Sequence, residues 1–549
     1  MRFNEIIVKV GSGFFFGALF ALPRVSMAEY QFKNFPAWSA ATEYRMETIL
    51  GEQPNDVISQ RNELKIELRY DGHTANNKGD VRVDFYAQLR PFYDSVYDMN
   101  IGGMSENDSL RERWRTNFTE EGNRRDPLLR ELYFDLSGGD FRARVGRQIV
   151  SWGKSDGVFM LDVVNPFNLR NPFKFEEEDT KIPLWMLNFE KRIGTDSTIQ
   201  FLWSPFYQRA ESPGYRVQDT EGGLTNLLSG GASGAESRNH AFGFGVLDFV
   251  NEFYQFEDFA RSGFTSNGVS GNFPIRYDDP DNVIKDSVVG LRWGGVAGNL
   301  NYTLNYLYTW PIAEGDFSNT GNFIDGTVSS VIRKPKRMHV VGASWDYPLN
   351  NLPGPFRGTV WRGETAFFLG DLLVNADPTS IKNLSPEKVN RHGLMMGFDQ
   401  NFTLDLFPSI SRAYIDPIWF LSIQYWQDYV IDADHSKNPF YDSGAGTPSW
   451  AAFGTPAYQE KGQRDAFKSQ ITVSLSKDLL PFDVLHTEWF VLYGIQAKDA
   501  WFRGKLRYEV TDDLNVAVGY NKFLGGKFDP IGQFKASDHV FLELRYSLF

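Results

Sequence analysis

The 549-residue chain has no cysteine, which excludes a disulfide framework, a thiolate metal site and a thiol nucleophile. Histidine is scarce too. His73, His240, His339, His392, His435, His486 and His539 are scattered, and none falls in a paired metal-binding spacing. No serine sits in a G-x-S-x-G elbow, since "GASGA" at 231–235 breaks the pattern at its last position. Gly153-Lys154-Ser155 ends like a phosphate loop but lacks the glycine scaffold that would cradle a phosphate. His435 beside Asp432 and Asp434 reads as a solvated loop, and the acidic run Glu176 to Asp179 matches no calcium loop and reads as a solvated charge cluster. We therefore expect no enzyme activity, no metal and no cofactor.

Long apolar runs are missing as well. The longest uncharged stretch near the start, Gly11 to Leu22, follows Arg2 and Lys9 and precedes the small residues Ser26-Met27-Ala28. It has the form of a signal peptide over 1–28 and is well short of the roughly 18 residues a spanning helix needs. Its removal takes the formal charge from −13 to −15 by withdrawing Arg2, Lys9, Arg24 and Glu5. Such an acidic chain repels nucleic acid, so no nucleic-acid partner is expected. No linker or composition shift divides the remaining chain, and one large architecture is expected.

Aromatic residues are abundant, at 15% of the chain, yet mean hydropathy is −0.37. The two figures are reconciled by alternation. Leu64, Ile66, Leu68 and Tyr70 alternate with Lys65, Glu67 and Arg69; Val83, Phe85, Ala87 and Leu89 alternate with Asp84, Tyr86, Gln88 and Arg90. The same period of two recurs in about seventeen segments through Leu300 to Tyr308, Trp419 to Tyr425 and Leu514 to Tyr520, ending in Val540 to Leu548. Each strand has one oily and one charged face, with Tyr or Trp near its ends. That is the pattern of an all-β transmembrane antiparallel barrel of 16 to 18 strands, the number being even. We expect residues 29–60 to form an N-terminal periplasmic or lumen segment and 61–549 the outer-membrane barrel. Loops, extracellular or folded inward, are expected at 91–129, 206–238, 247–285, 311–330, 370–390 and 427–463, with a short helix or packed loop at 251–264.

The lumen faces carry the chemistry. Arg69, Arg82, Arg90, Arg142 and Arg144 from early strands, and Arg503, Lys505 and Arg507 from a late one, should lie on neighbouring parts of a closed wall among Glu67, Asp84, Glu131 and Asp135. They would brace the wall by pairing with those acids or select the solutes that pass. Arg362 and Glu364 share a lumen face and read as a mutual brace. Gln148 falls on the lumen phase beside Arg142 and Arg144, while Arg147 falls on the lipid phase, so its strand must end there. Trp152 either narrows the lumen or anchors at the membrane interface.

The stretch "GRQIVSWGKSDG" followed by "VVNPFNLRNPF" and "IPLWML", from Gly146 to Leu187, resembles the signature of a Gram-negative family, domain of unknown function 1302. Gly146-Arg147-Gln148, Trp152-Gly153, Asn165-Pro166 and Pro183 carry the resemblance, with weaker echoes in Trp345-Asp346-Tyr347 and "WRGE" at 361–364. Lys154 departs from it, standing where an acidic residue is expected. The resemblance implies an outer-membrane barrel working with an inner-membrane exporter or periplasmic lipid-binding partner, passing small solutes, hydrophobic ones included. A scaffold barrel that holds a periplasmic partner is the alternative. A receptor with a plug domain is disfavoured by the short N-terminal segment.

Overall fold

The alternating segments become strands that pair with their sequence neighbours. In the computed structural model eighteen antiparallel strands form one sheet: β1 (Trp38–Gly51), β2 (Val57–Tyr70), β3 (Arg82–Leu89), β4 (Leu129–Gly138), β5 (Phe141–Gln148), β6 (Leu184–Ile193), β7 (Ser197–Ser204), β8 (Val288–Ala297), β9 (Leu300–Thr309), β10 (Met338–Leu349), β11 (Thr359–Asp377), β12 (Ser380–Thr403), β13 (Ile418–Val430), β14 (Phe467–Asp478), β15 (Leu485–Gly494), β16 (Asp499–Thr511), β17 (Leu514–Leu524) and β18 (His539–Ser547). The sheet closes because β1 pairs with β2 on one side and with β18 on the other, from Glu43 opposite Ser547 to Gly51 opposite His539. The described residues are these strands, most of the short connections, parts of the longer ones and seven further short strands: Tyr30–Gln31 and Phe92–Asp94 at the edges of the barrel wall, and Phe264–Ser266, Val269–Gly271, Ile275–Tyr277, Phe317–Thr320 and Ser330–Arg333 in two small separate sheets. The main stretches outside them are 1–29, 74–80, 99–114, 169–175, 209–263, 311–316, 321–329, 405–417, 432–466 and 532–537.

The two faces separate as the period of two requires. On β9, Leu304 and Tyr306 are 48% and 39% exposed, whereas Thr303 and Asn305 between them are 6% exposed. An apolar outer surface meets lipid, and the polar phase fills the inside, so the fold is a transmembrane β-barrel. Outward rings gather near one rim: Trp38 lies 5.1 Å from Tyr70 and 5.9 Å from Phe85, which lies 5.1 Å from Phe134. Short turns at that rim join β4 to β5, β6 to β7, β8 to β9 and β16 to β17; in the first, Gly139 takes φ +54°, a left-handed value that costs glycine nothing. The strand ends Leu89 and Leu129, Gln148 and Leu184, Ser204 and Val288, and Val430 and Phe467, which longer stretches join, lie at the opposite rim.

Two expectations change. Residues 29–60 do not form a segment separate from the wall; they contain β1, the strand that closes it. Its outward set includes Ala40 and Thr42 opposite Leu68 and Ile66, so the contrast between its faces is weak in sequence. Residues 370–390 are not a loop but the upper part of a β11–β12 ribbon, paired from Asp371 opposite Val389 to Ala376 opposite Leu384, where Asn, Asp and Pro content hid the pairing. The barrel has eighteen strands, one of the two even numbers expected. The leader 1–28, residues 251–263 of the candidate helix, and His240 and His435 lie outside the described residues.

The outer phase generates a direct test. Replacing Leu304 with Arg places a charge against hydrocarbon and should lower barrel stability in lipid vesicles by about 2–4 kcal/mol if the site is near mid-bilayer. Arg82→Gln, which removes an exposed pair inside the short-turn rim, should cost less than about 1 kcal/mol. Denaturant titration of vesicle-folded protein compares the two.

Candidate functional site: a segment folded across the lumen

Strand β5 ends at Gln148, and the described parts of the next stretch, 149–156, 160–168 and 176–183, turn into the barrel. Arg147, on the lipid phase, marks the end of the strand as expected, and its Nε donates to the carbonyl of Arg130 at 3.1 Å. Gln148 is fully buried, and its Nε2 donates to the carbonyl of Met186 at 3.1 Å. Beyond it the backbone has no neighbouring strand, and side chains take over the accepting role. Ile149 N donates to Glu131 at 3.0 Å, Val150 N to Asn165 Oδ1 at 2.9 Å, Trp152 N to Asp162 at 3.2 Å, Lys154 N to Glu364, and Asp156 N to Gln424 Oε1 at 3.2 Å. An unpaired buried amide costs about 1–3 kcal/mol, so these acceptors decide whether the segment can lie there at all. Asn165 also joins the outgoing and returning limbs, since its Nδ2 donates to the carbonyls of Gln148 at 3.2 Å and Ile182 at 2.9 Å.

The middle of the segment reaches the far wall. Trp152, 1% exposed, packs inside, and its Nε1 donates to Gln200 Oε1 on β7 at 2.8 Å. Its ring occupies the place of a side chain on β8: a Cβ added to Gly290 would stand 2.8 Å from it. Leu161 fills the space left by Gly342 on β10 in the same way. Glu364 on β11, fully buried, accepts from the amides of Lys154 and, at 3.1 Å, Leu161. Arg362 donates to the Lys154 carbonyl at 2.7 Å and pairs with Asp156 and with Asp399, the latter at 2.9 Å; Lys154 Nζ pairs with Asp346. Arg362 and Glu364 were expected to brace each other. Each instead grips the segment.

The returning limb is held at the barrel seam. Glu176 pairs with Arg545 of β18; Glu178 pairs with Arg45 of β1 at 2.6 Å and Lys65 of β2 at 3.0 Å; Asp179 pairs with Arg90. A short helix, α1 (Glu177–Thr180), carries part of this run. Arg130 donates to the Lys181 carbonyl at 2.7 Å, and the buried Lys181 ammonium meets Asp162 and Ser151 Oγ, the latter at 2.6 Å. The acidic run is thus not a solvated cluster. It forms ion pairs inside the lumen, and no group of three metal-ligating side chains occurs among the described residues. Burial alone would raise the Glu178 carboxyl; Arg45, Arg90 and Lys65 outweigh it and hold the group at about 2.

The remaining candidate residues lie on the wall. Arg69 pairs with Glu67 at 2.7 Å, Arg82 with Asp84 at 2.7 Å, and Arg142 and Arg144 share Asp135 at 2.5 and 3.0 Å, with Arg144 also 4.2 Å above the Tyr133 ring. Lys505 pairs with Glu543 at 2.7 Å, Arg503 lies 5.0 Å from the Phe541 ring centre, and Arg507 stands opposite His486. Bases and acids are interleaved, so the wall is braced rather than uniformly positive. Of the residues singled out from sequence, Arg90, Gln148, Trp152, Arg362 and Glu364 converge on the inward segment. Arg45, Asp156, Asp162, Asn165, Lys181, Gln200 and Arg545 belong with them and escaped sequence reasoning. Of these only Asn165 had a signal, the Asn-Pro pair.

The fold and this segment define a class, a closed eighteen-stranded membrane barrel with an internally tethered connection. The chain belongs to the family described as protein of unknown function (DUF1302), whose model matches residues 53–548. No curated protein matches it. Among solved structures it is similar to Pseudomonas aeruginosa OpdK (9% identity, 93% of this chain and 98% of that chain, TM-score 0.44). It is also similar to Pseudomonas aeruginosa OccK5 (OpdH) (10%, 95% and 99%, 0.40) and to Salmonella typhi OmpF in complex with daunomycin (8%, 94% and 100%, 0.38).

The seam contacts give a pH prediction. Because the Glu178 carboxyl is depressed, its contribution is fully present above its ordinary value near 4.5 and lost as pH falls toward 2. Limited proteolysis of the inward segment in membranes should show protection at pH 5 and 7 and exposure only as pH approaches 2. Glu178→Gln should abolish that dependence. Trp152→Ala should cost about 3–5 kcal/mol of local packing, read as cleavage within 149–183 while the barrel strands stay intact.

Proposed function

We propose that the protein is an outer-membrane channel for small solutes, with the described parts of the segment 149–183 as its constriction. The observation that carries this reading is the tethering of one connection to opposite sides of the lumen: to β1, β2 and β18 through Glu176 and Glu178, and to β10, β11 and β13 through Lys154, Asp156 and Leu161. A barrel of this strand number encloses far more space than side chains alone fill, and a fixed crossing narrows that space without closing the fold. Arg90, Gln148, Trp152, Arg362 and Glu364 set the position of the constriction. Arg69, Arg82, Arg142, Arg144, Arg503, Lys505 and Arg507 line the wall on either side and, with their acidic partners, give the conduit an alternating field.

The chemistry of the lining favours polar solutes over hydrophobic ones. The apolar residues inside the barrel, among them Met186, Leu202, Leu307, Val340 and Met395, form one cluster with Trp152, Met160, Leu161, Val163 and Phe167 of the segment. Their surface is taken up in seating it.

Purified protein in planar bilayers should conduct ions in steady steps. Glu364→Ala removes the acceptor of two buried amides, a loss of about 1–3 kcal/mol each, and should raise single-channel noise and mean conductance. A wild-type barrel that folds and inserts but never conducts refutes the reading.

A further inference from the structure

One lumen cation beside the constriction is left out of the ion-pair network. Arg292 lies on β8 between Leu291 and Trp293, which face outward at 49% and 45% exposure, so its own side chain points inward, opposite Gln200 of β7 and Asn305 of β9. It is half-buried, and among the described residues no carboxylate or carbonyl accepts a hydrogen bond from it. Three carboxylates lie within electrostatic range, Glu190, Asp162 and Glu364, and each is engaged elsewhere. Glu190 accepts from Gln200 Nε2 at 3.0 Å, Asp162 holds Lys181 and the Trp152 amide, and Glu364 holds the amides of Lys154 and Leu161. A guanidinium carries five N–H donors in a planar fork. Here the fork faces the conduit with its acceptors missing.

The wall around it is built of small polar groups. Gly294, the next inward position toward the short-turn rim, carries no side chain, and a Cβ added there would sit in ordinary contact with Thr303 Cγ2 and the Tyr302 carbonyl oxygen, both at 3.8 Å. Beside it the hydroxyls of Thr303 and Ser344 lie 2.7 Å apart, and Asn305 Nδ2 donates to Thr303 Oγ1 at 2.9 Å. In the other direction the Trp152 ring covers Gly290. Arg292 therefore stands on the short-turn side of the constriction, next to an inward position without a side chain and a wall of buried hydroxyl and amide groups.

We propose that Arg292, beside the side-chain-free position Gly294, forms a subsite for a small organic monocarboxylate, and that Arg292 sets the charge preference of the conduit. The inference rests on the channel reading for its transport role, though not for binding. A carboxylate presents two coplanar oxygens that match the guanidinium fork. A single negative charge suits one uncommitted arginine, whereas a divalent anion would meet the field of the nearby carboxylates.

Butyrate is the probe. Calorimetry on the detergent-folded barrel should show butyrate binding that weakens about tenfold in Arg292→Gln, as expected for a lost charge-assisted hydrogen bond. Arg292→Lys should bind butyrate less well than wild type while keeping the ion preference, because an ammonium has the charge but not the fork. In planar bilayers under a potassium chloride gradient, wild type and Arg292→Lys should favour chloride, and Arg292→Gln should lose that preference; butyrate should reduce the wild-type current and leave that of Arg292→Gln unchanged. Unchanged electrophoretic mobility of the unheated barrel checks that the variants fold. No butyrate binding by wild type, or equal binding and equal reversal potential in wild type and Arg292→Gln, overturns the proposal. Inorganic phosphate binding in place of butyrate overturns the monocarboxylate assignment. Butyrate binding that depends on Arg292 in a barrel that never conducts supports the subsite and refutes the channel instead.

Discussion

Everything in this molecule depends on giving each backbone amide an acceptor where water is absent. In hydrocarbon an open sheet edge leaves a row of unpaired N–H and C=O groups, each costing several kcal/mol, so a membrane sheet must close. Pairing of β1 with β18 meets that requirement. It also fixes what lies inside: with the outward phase given to Leu, Tyr, Phe and Trp, the inward phase is free to be charged, and the interior becomes a polar chamber. The same requirement then applies again to the described part of the connection that crosses the chamber. Between Gln148 and Asp156 the chain runs without a neighbouring strand, and Glu131, Asn165, Asp162, Glu364 and Gln424 act as a substitute for one, accepting from Ile149, Val150, Trp152, Lys154 and Asp156 in turn.

The barrel was largely legible in sequence because its signal is local. Alternation of apolar and polar residues and aromatic strand ends each need only neighbouring residues, and they identified the fold class and bracketed the strand number at 16 to 18. The exception, β1, is instructive. Its outward face carries Ala40, Thr42 and Thr48, groups too small or too polar to contrast with Glu43, Arg45 and Glu47 on the inward face, and its place in the wall is decided by the partners on either side. The site was far less legible. Glu364 meets Lys154 and Leu161 from more than two hundred residues away, and Arg545 meets Glu176 only because the last strand returns to the first. Such contacts follow from the register of a closed sheet, and no local pattern announces them.

Charge inside the barrel is arranged with short-range compensation. Arg142 and Arg144 converge on Asp135, Arg69 on Glu67 and Lys505 on Glu543, so a passing ion meets dipoles rather than a uniform potential. Side chains that sequence reasoning grouped as one basic wall are therefore poor candidates for discrimination by charge alone. What can discriminate is a charge whose partner is missing, placed where the conduit is narrow. This is why the half-buried Arg292 beside Trp152 bears more on selectivity than the more numerous bases near the short-turn rim.

The residues that carry the family resemblance acquire a common physical role. Gln148 closes the end of β5, Trp152 occupies the space at Gly290, and Asn165 ties the two limbs. Gly153 admits Asp162, whose Cβ would stand 2.8 Å from an added Cβ. The weaker echoes fall into the same object: Asp346 receives Lys154, and "WRGE" supplies Arg362 and Glu364. The signature is thus a description of how one segment is seated, scattered in sequence because its seat is made of distant strands. Lys154, the departure from the pattern, fits this account. Glu364 holds its backbone amide, which any residue but proline offers, while its side chain is free to differ and here finds Asp346. Variation at that position changes the charge presented to the lumen and leaves the seating of the segment intact.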